Sequence, residues 1–158
     1  MNPPHAVLRH AVASDLDAIL ALERATDNAP HWPPAAYAAI LDSTAQPRCL
    51  IVAHTNASLT GFAVGLLQPA DHLAELETVV VAANARRHGI GRALCNAVLD
   101  WSRSHGATEL VLEVRATSAG AIALYAALGF TQTGRRPRYY RDPEDDAVAM
   151  RISLSDPA

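Results

Sequence analysis

The sequence predicts a mixed α/β fold in which about seven strands form a largely antiparallel sheet flanked by about four helices. Short apolar stretches with a two-residue alternation or many β-branched residues recur along the chain and predict the strands. Between them lie segments with apolar residues at helical spacing. Two strand–helix units in the second half imply some parallel pairing through right-handed crossovers. With 158 residues, half of them hydrophobic, the chain is predicted to be one domain with a substantial core.

The first half of the chain is predicted to contain a strand, two helices and a hairpin of two strands. Ser14 is expected to cap the first helix, with Asp17 at the reciprocal capping position. The Pro33-Pro34 pair can begin the second helix, because proline is tolerated in a first helical turn. The expected elements are a strand over 6–12, a helix from Ser14 to near Asn28, a short helix from Pro33, strands over 49–54 and 61–67, and a turn over 56–60.

The second half is predicted to alternate strands with helices before a closing pair of strands. In the strand over 109–115, Glu113 is expected on the face opposite to Leu112 and Val114. Gly129 is placed as the left-handed terminator of the last helix. The expected elements are a strand over 73–81, a helix over 92–101, a strand over 109–115, a helix from Ser118 through Leu128, and strands over 130–136 and 147–154.

Charge and composition argue against several classes of function. A net charge of −3 and a sequence pI near 6.1 disfavour a general nucleic-acid binder. No apolar run reaches transmembrane length and the N-terminus has no signal-peptide character, so we expect a cytoplasmic protein without membrane association. Cys49 and Cys95 lack metal or redox spacing and are expected as small buried hydrophobes in a reducing cytosol. The seven histidines are scattered, and no metal site is predicted.

The turn Arg86-Arg87-His88-Gly89-Ile90-Gly91, followed by Arg92, is the most informative stretch for function. It follows an apolar strand and opens directly into an amphipathic helix, which is the order needed to hold a pyrophosphate. Glycine lets the backbone approach an anion closely, and the unpaired N–H groups of a first helical turn point at it. The turn is neither a Walker loop nor G-x-G-x-x-G, because the Gly-Lys-Ser/Thr and the third glycine are missing. On these residues alone, a plain turn with solvated arginines is an equal alternative.

Two single residues are candidates for acid–base chemistry. Glu113 is a carboxylate inside an otherwise apolar strand, where it needs hydrogen bonds or water and could serve as a general base. The alternative is an edge-strand glutamate that faces solvent or pairs with Arg115. Tyr125 lies in an apolar helix and is either a core tyrosine or a general acid close to the glycine turn.

Two pairs of residues are candidates for contacts with a substrate. Glu75 and Glu77 stand two residues apart in the strand before the glycine turn, so they share a face and could bind an amine or supply a base. The alternative is that this strand face is merely half exposed. Tyr139-Tyr140 follow three arginines and precede an acidic segment, which suggests either a solvated hairpin or a loop that lines a substrate.

Taken together, these features resemble the GNAT superfamily of acetyl-CoA-dependent N-acetyltransferases. The superfamily signature is Q/R-x-x-G-x-G/A after a strand, and the glycine turn over 86–91 has this form. More narrowly, the chain is similar to RimI-type ribosomal-protein-alanine N-acetyltransferases. The matching stretches are Leu112-Glu113-Val114-Arg115-Ala116, Ala121-Ile122-Ala123-Leu124-Tyr125, Leu128-Gly129-Phe130, Tyr139-Tyr140, Glu144-Asp145-Asp146-Ala147 and Met150. The resemblance implies a GNAT fold and a single acetyltransferase domain over residues 1–158.

The resemblance also implies roles for individual residues. Glu113 matches the general base of RimI-type enzymes and Tyr125 their proton donor, whereas Glu75 falls where histone-type GNAT enzymes carry a base. Ser118 stands where RimI-type enzymes usually have an asparagine that touches the cofactor. The residues matching the acetyl-CoA site are Val79, Val80 and Val81 for the acetyl-pantetheine arm, and Arg86, Arg87, His88, Gly89, Ile90, Gly91 and Arg92 for the pyrophosphate.

The implied function is acetyl-CoA-dependent acetylation of a protein N-terminal amine, such as that of a ribosomal protein, by direct transfer in a ternary complex. Cys95 is not expected to carry the acyl group, because it lies inside the helix after the glycine turn. Two alternatives stay open from the sequence. One is a GNAT enzyme that acetylates a small-molecule amine, and the other is an acyl-CoA-binding sensor without turnover.

Overall fold

Seven strands form one mixed sheet in the computed structural model, which describes residues 5–27, 29–42 and 47–155. The strands are β1 Val7–His10, β2 Arg48–Thr55, β3 Ser58–Gln68, β4 Leu73–Val81, β5 Glu109–Arg115, β6 Thr131–Tyr140 and β7 Asp145–Ser153, in the spatial order β1-β2-β3-β4-β5-β7-β6. The α-helices are α1 Leu16–Arg24, α2 Pro34–Leu41, α3 Ile90–Ser104 and α4 Ala119–Leu128. The predicted fold class and element order are therefore confirmed. No helix in the described ranges is long and apolar enough to cross a membrane.

The start of α1 differs from the sequence prediction. A short 3₁₀ turn over Ala13–Asp15 precedes the helix, and the Asp15 carboxylate accepts the Val12 N–H at 2.7 Å. Arg9 of β1 holds the same carboxylate at 2.7 Å, so the cap also ties the helix to the sheet. The predicted cap at Ser14 with Asp17 is wrong, because Asp15 lies three residues after Val12 and can reach its free N–H.

Several predicted boundaries are wrong by a few residues. Helix α1 ends at Arg24 rather than near Asn28, and Asn28 itself lies outside the described residues. Strands β2 and β3 continue to a two-residue turn, so the loop predicted over 56–60 is shorter. The sixth strand runs on to Tyr140 because its ladder with β7 resumes beyond an irregularity after Arg136. Its polar, exposed sequence lacks the apolar alternation that marks a half-buried strand.

Helices cover the two faces of the sheet unequally. On one face, α3 packs against β2, β3 and β4, with Leu94 and Val98 fully buried. On the other face, α1 packs against β3 and α2 against β2, around Ile19 and Tyr37. The predicted alternation in β5 is confirmed, since Leu112 joins the α3 core while Glu113 lies on the α1–α2 face.

The sheet opens between β4 and β5. These two strands pair in parallel only over 73–75 and 109–111, although both continue for several residues. Opposite β3, an irregularity in the ladder leaves Glu77 between the paired residues Leu76 and Thr78, which is a β-bulge. Because the strands separate beyond this point, the β5-facing edge of residues 79–81 has no strand partner among the residues that the structure describes.

Candidate active site

A cavity of about 670 Å³ lies where β4 and β5 separate. It is bounded by the end of β4, the turn before α3, the start of α4 and the residues that follow α1. The lining residues are Thr26, Ala29, Val79, Val80, Val81, Ala85, Arg86, Arg87, Gly89, Ile90, Gly91, Arg92, Ser118, Gly120, Ala121, Leu124 and Tyr125. The cavity is thus large enough for a sizeable small molecule and carries several basic residues at one end.

The turn before α3 has the geometry of an anion site. Arg87 and Gly89 both have left-handed backbones, with φ of 67° and 79°, and Gly89 is the N-cap of α3. No side chain caps this helix, so the N–H groups of its first turn have neither an intrahelical nor a capping partner. These groups, the helix dipole and the arginines around them favour a phosphate group.

Gly91 allows the chain to approach the cavity closely. A Cβ built at this position would lie 3.5 Å from Leu124 Cδ2 and 3.7 Å from Val81 Cγ2, which are ordinary van der Waals contacts. The fold therefore tolerates a methyl group here, whereas a larger side chain would occupy the cavity beside the first turn of α3.

Tyr125 lies on the α4 side of the cavity. Burial raises the pKa of its phenol, and within the described part of the chain its hydroxyl has no hydrogen-bond partner. Its ring packs on Phe130, with 5.7 Å between the ring centroids. A protonated phenol that faces a cavity and has no partner among the described residues can donate a hydrogen bond to a bound group.

Ser118 is the N-cap of α4 by position, but its side chain makes no capping hydrogen bond. The turn before it is fixed instead by the Thr117 hydroxyl, which donates to the Asp145 carboxylate at 2.6 Å. Ser118 lines the cavity, so its hydroxyl is available there.

Glu113 is on β5, on the α1–α2 face of the sheet, and is partly buried. Arg136 of β6 reaches its Oε1 at 3.4 Å, while Oε2 is buried without a hydrogen-bond partner in the described residues. A buried acceptor without a donor is costly, and a bound amine would supply one. Tyr140 interacts electrostatically with both Glu113 and Tyr125, and the nearby negative charge of Glu113 helps to raise the pKa of the Tyr140 phenol.

The two glutamates of β4 differ in their surroundings. Burial raises the pKa of Glu75, and the negative charges of Glu77 and Glu113 raise it further. Glu77 is instead bound by Arg48, with Nε–Oε1 and Nη2–Oε2 distances of 2.6 and 3.3 Å. Glu77 is therefore already neutralised by a bidentate partner, whereas Glu75 and Glu113 form a pair of carboxylates on the same face.

Some sequence-predicted residues lie elsewhere. His88 lines a neighbouring cavity with Asn84 rather than the one beneath the glycine turn. Tyr139 is 51% exposed and stacks with the Arg136 guanidinium, 5.4 Å from its ring centroid. Tyr140, beneath the Arg115 guanidinium at 4.5 Å, lies nearer to the carboxylates.

Sequence reasoning missed several contributors. Thr26 and Ala29 reach the cavity from residues after α1, where no local pattern indicates a site. Arg136 belongs to a basic segment that was visible in the sequence, but which of its arginines faces Glu113 depends on the irregular β6–β7 register.

Both cysteines are buried and reduced, as predicted. Cys95 is 1% exposed and does not line the cavity. Burial raises the pKa of its thiol to about 12, so a reactive thiolate is disfavoured at neutral pH. The described residues thus favour direct transfer over an acyl-cysteine intermediate.

Comparison with known proteins points to one family. The Acetyltransferase (GNAT) family profile matches residues 13–130. The chain is 35% identical over 131 residues to the N-alpha-acetyltransferase RimI of Mycobacterium tuberculosis, over 80% of this chain and 78% of that protein. It is 40% identical over 84 residues to the [Ribosomal protein bS18]-alanine N-acetyltransferase of Escherichia coli, over 52% of this chain and 57% of that protein.

The structural comparison agrees. The crystal structure of the ribosomal-protein-S18-alanine N-acetyltransferase from Escherichia coli matches with a TM-score of 0.83 and 28% identity, over 98% of this chain and 97% of that chain. Some matches to curated relatives are partial, since the chain spans 33% of a Mycobacterium leprae protein and 57% of the Escherichia coli protein.

Proposed function

This chain belongs to the acetyltransferase (GNAT) family, and we propose that it is a cytoplasmic enzyme that transfers the acetyl group of acetyl-CoA to the N-terminal α-amine of a ribosomal protein. One observation carries the proposal: a cavity joins the glycine turn to the Tyr125 phenol. Glu113, on the strand β5 that diverges from β4, has an oxygen without a hydrogen-bond partner among the described residues. The names of the RimI relatives support the choice of a protein N-terminus as acceptor.

The residues of the cavity fit acetyl-CoA. The first turn of α3, with its uncapped N–H groups and neighbouring arginines, would bind the pyrophosphate. The β5-facing edge of Val79–Val81 would hydrogen-bond the pantetheine arm, since it has no strand partner. Ser118 and the apolar side of α4 would complete the site.

The side chains then have distinct roles in transfer. Glu113, directly or through a water, takes a proton from the ammonium so that the neutral amine attacks the thioester carbonyl. Backbone N–H groups near Val79–Val81 stabilise the negative charge that develops on the carbonyl oxygen. Tyr125 donates its proton to the departing CoA thiolate, and Glu75 contributes charge next to the amine.

The acceptor is expected to be an α-amine rather than a lysine side chain. The reference pKa of an α-amine is about 8, against about 10.4 for lysine, so a carboxylate base deprotonates the α-amine more readily near pH 7. Peptides that begin with Ala or Ser should be acetylated faster than the same peptides with blocked N-termini and free lysines, as measured by CoA release.

Faster turnover on the blocked peptides would contradict this acceptor, and preference for free polyamines or amino acids would favour a small-molecule enzyme. CoA binding without turnover on any amine would indicate a sensor.

Replacing Tyr125 with phenylalanine should lower kcat without lowering the melting temperature. The hydroxyl has no partner among the described residues, so its loss strands no buried group. A thiol similar to free cysteine has a pKa near ~8.5, so the thiolate leaves without assistance above that pH. The defect should therefore shrink between pH 7 and about 9 in a pH profile of kcat. A loss that stays constant over this range, or loss of stability with full turnover, would argue against the acid role.

A further inference from the structure

A second carboxylate, outside the roles assigned above, is more deeply buried than Glu113. Glu23 lies in the last turn of α1 and is 1% exposed. Burying a carboxylate costs free energy unless its oxygens are hydrogen-bonded. Glu23 lies next to the apolar cluster between α1, α2 and the sheet, so its carboxylate needs hydrogen-bond donors nearby.

Glu23 joins the end of α1 to the start of α2. Its Oε2 accepts two hydrogen bonds, one from the Tyr37 hydroxyl and one from the Trp32 backbone N–H at 3.2 Å. Tyr37 is fully buried and anchored between aromatic neighbours, with ring centroids 5.4 Å from Trp32 and 5.9 Å from Phe62. The carboxylate thus fixes the chain on both sides of the segment between the helices to one rigid cluster.

This intervening segment contributes a wall of the acetyl-CoA cavity. Thr26 and Ala29 line it, and they lie between Glu23 and the residues that Glu23 holds. Two local bonds join described residues of this part of the chain: the Ala29 N–H donates to Thr26 O at 3.2 Å, and the Thr26 hydroxyl donates to Leu22 O at 2.8 Å. The position of Thr26 and Ala29 relative to β4 therefore depends on where the Glu23 bonds place the two ends of the segment.

We propose that Glu23 is a positioning residue for acetyl-CoA: through Trp32 and Tyr37 it holds Thr26 and Ala29 against the cavity that binds the co-substrate. This inference rests on the proposed function for the identity of the ligand. Glu23 itself does not line the cavity, so it acts through the segment and takes no part in proton transfer.

Two variants at this position separate hydrogen bonding from charge and size. Glu23→Gln retains one oxygen that can accept both hydrogen bonds, and it replaces the other carboxylate oxygen with an uncharged NH₂ group. Glu23→Met has similar length but no comparable acceptor, so the Tyr37 hydroxyl and the Trp32 N–H lose their partner. Leu20→Ala is the matched control for stability, because Leu20 lies one turn earlier in α1, is buried in the same cluster and does not line the cavity.

The test is calorimetric binding of CoA to each variant, together with its melting temperature. Glu23→Met should weaken CoA binding by roughly 10-fold or more, since small displacements of a binding wall are costly, and Glu23→Gln should remain within about threefold of wild type. Leu20→Ala should lower the melting temperature at least as much as Glu23→Met does, but it should retain the CoA affinity of the wild-type protein. Wild-type CoA affinity in Glu23→Met would overturn the proposal. So would a loss of CoA affinity in Leu20→Ala as large as that in Glu23→Met, because the loss would then follow stability alone.

Should Glu23→Met fail to unfold cooperatively, Tyr37→Phe decides the question. It removes one of the two bonds to Glu23 and leaves that of Trp32, so a loss of CoA affinity larger than that of Glu23→Gln and smaller than that of Glu23→Met is expected, between about threefold and tenfold. An unchanged affinity in Tyr37→Phe would overturn the proposal. Because CoA binding needs no acceptor, absence of binding to the wild-type protein would reject the proposed function itself, which distinguishes the two failures.

Discussion

Replacing Glu113 with glutamine is expected to lower kcat by roughly 10²–10⁴ while CoA binding stays intact. Glutamine keeps the size of the side chain but cannot take a proton from the acceptor ammonium. Glu113 does not line the cavity that would hold CoA, so calorimetric affinity for CoA should be unchanged. The measurement is steady-state turnover on an Ala- or Ser-initiated peptide, with CoA affinity determined on the same preparation.

Glu75→Gln is the matched control for this prediction. Glu75 stands on the same sheet face, and its raised pKa makes it the main rival for the role of base. We expect a smaller loss of kcat in Glu75→Gln than in Glu113→Gln. If Glu75→Gln shows the large loss and Glu113→Gln does not, the two roles must be exchanged.

Gly91→Glu should weaken CoA binding by roughly 10²–10³-fold. A carboxylate at this position would enter the cavity beside the first turn of α3, where the pyrophosphate is expected. Two like unit charges about 4 Å apart repel each other by about 4 kcal/mol at an effective dielectric constant near 20. A repulsion of this size is enough to weaken binding by the expected factor. Calorimetry with CoA measures the loss, and wild-type affinity in this variant would contradict the placement of the pyrophosphate.

Gly91→Ala is the control for the fold. Its Cβ would meet Leu124 and Val81 at 3.5 and 3.7 Å, so the melting temperature should not fall. Its effect on CoA affinity should be smaller than that of the glutamate, because it adds a methyl group and no charge. A loss of affinity in Gly91→Ala as large as in Gly91→Glu would assign the effect to close packing rather than to charge.

The sequence predicted the order of elements because apolar periodicity is a local signal. The strand over Leu73–Val81 has the predicted ends, and Gly129 terminates α4 with a φ of 108°. The errors fell where tertiary contacts override local patterns. Asp15 replaced Ser14 as the cap because Arg9 of β1 holds its carboxylate, and β6 extended because β7 supplies its hydrogen bonds.

The lining of the cavity was partly predictable from the glycine turn, whose arginines and glycines line it together with Val79–Val81 and Tyr125, and their roles toward acetyl-CoA stay a prediction. The surroundings of the carboxylates Glu77 and Glu113 were less predictable from the sequence. Glu77 is bound by Arg48, 29 residues away in sequence, and Arg136 reaches Glu113 from another strand. Pairings of this kind depend on sheet order and on bulges, which no spacing in the sequence reveals.

Mass spectrometry of protein N-termini tests the central claim most directly. Unacetylated ribosomal proteins would be incubated with acetyl-CoA and either the wild-type protein or the Glu113→Gln variant. We expect a new acetyl group on the N-terminal residue of a ribosomal protein with the wild-type protein, and its near absence with the variant. Acetylation confined to lysine side chains, or no acetylated N-terminus above the protein-free control, would contradict it.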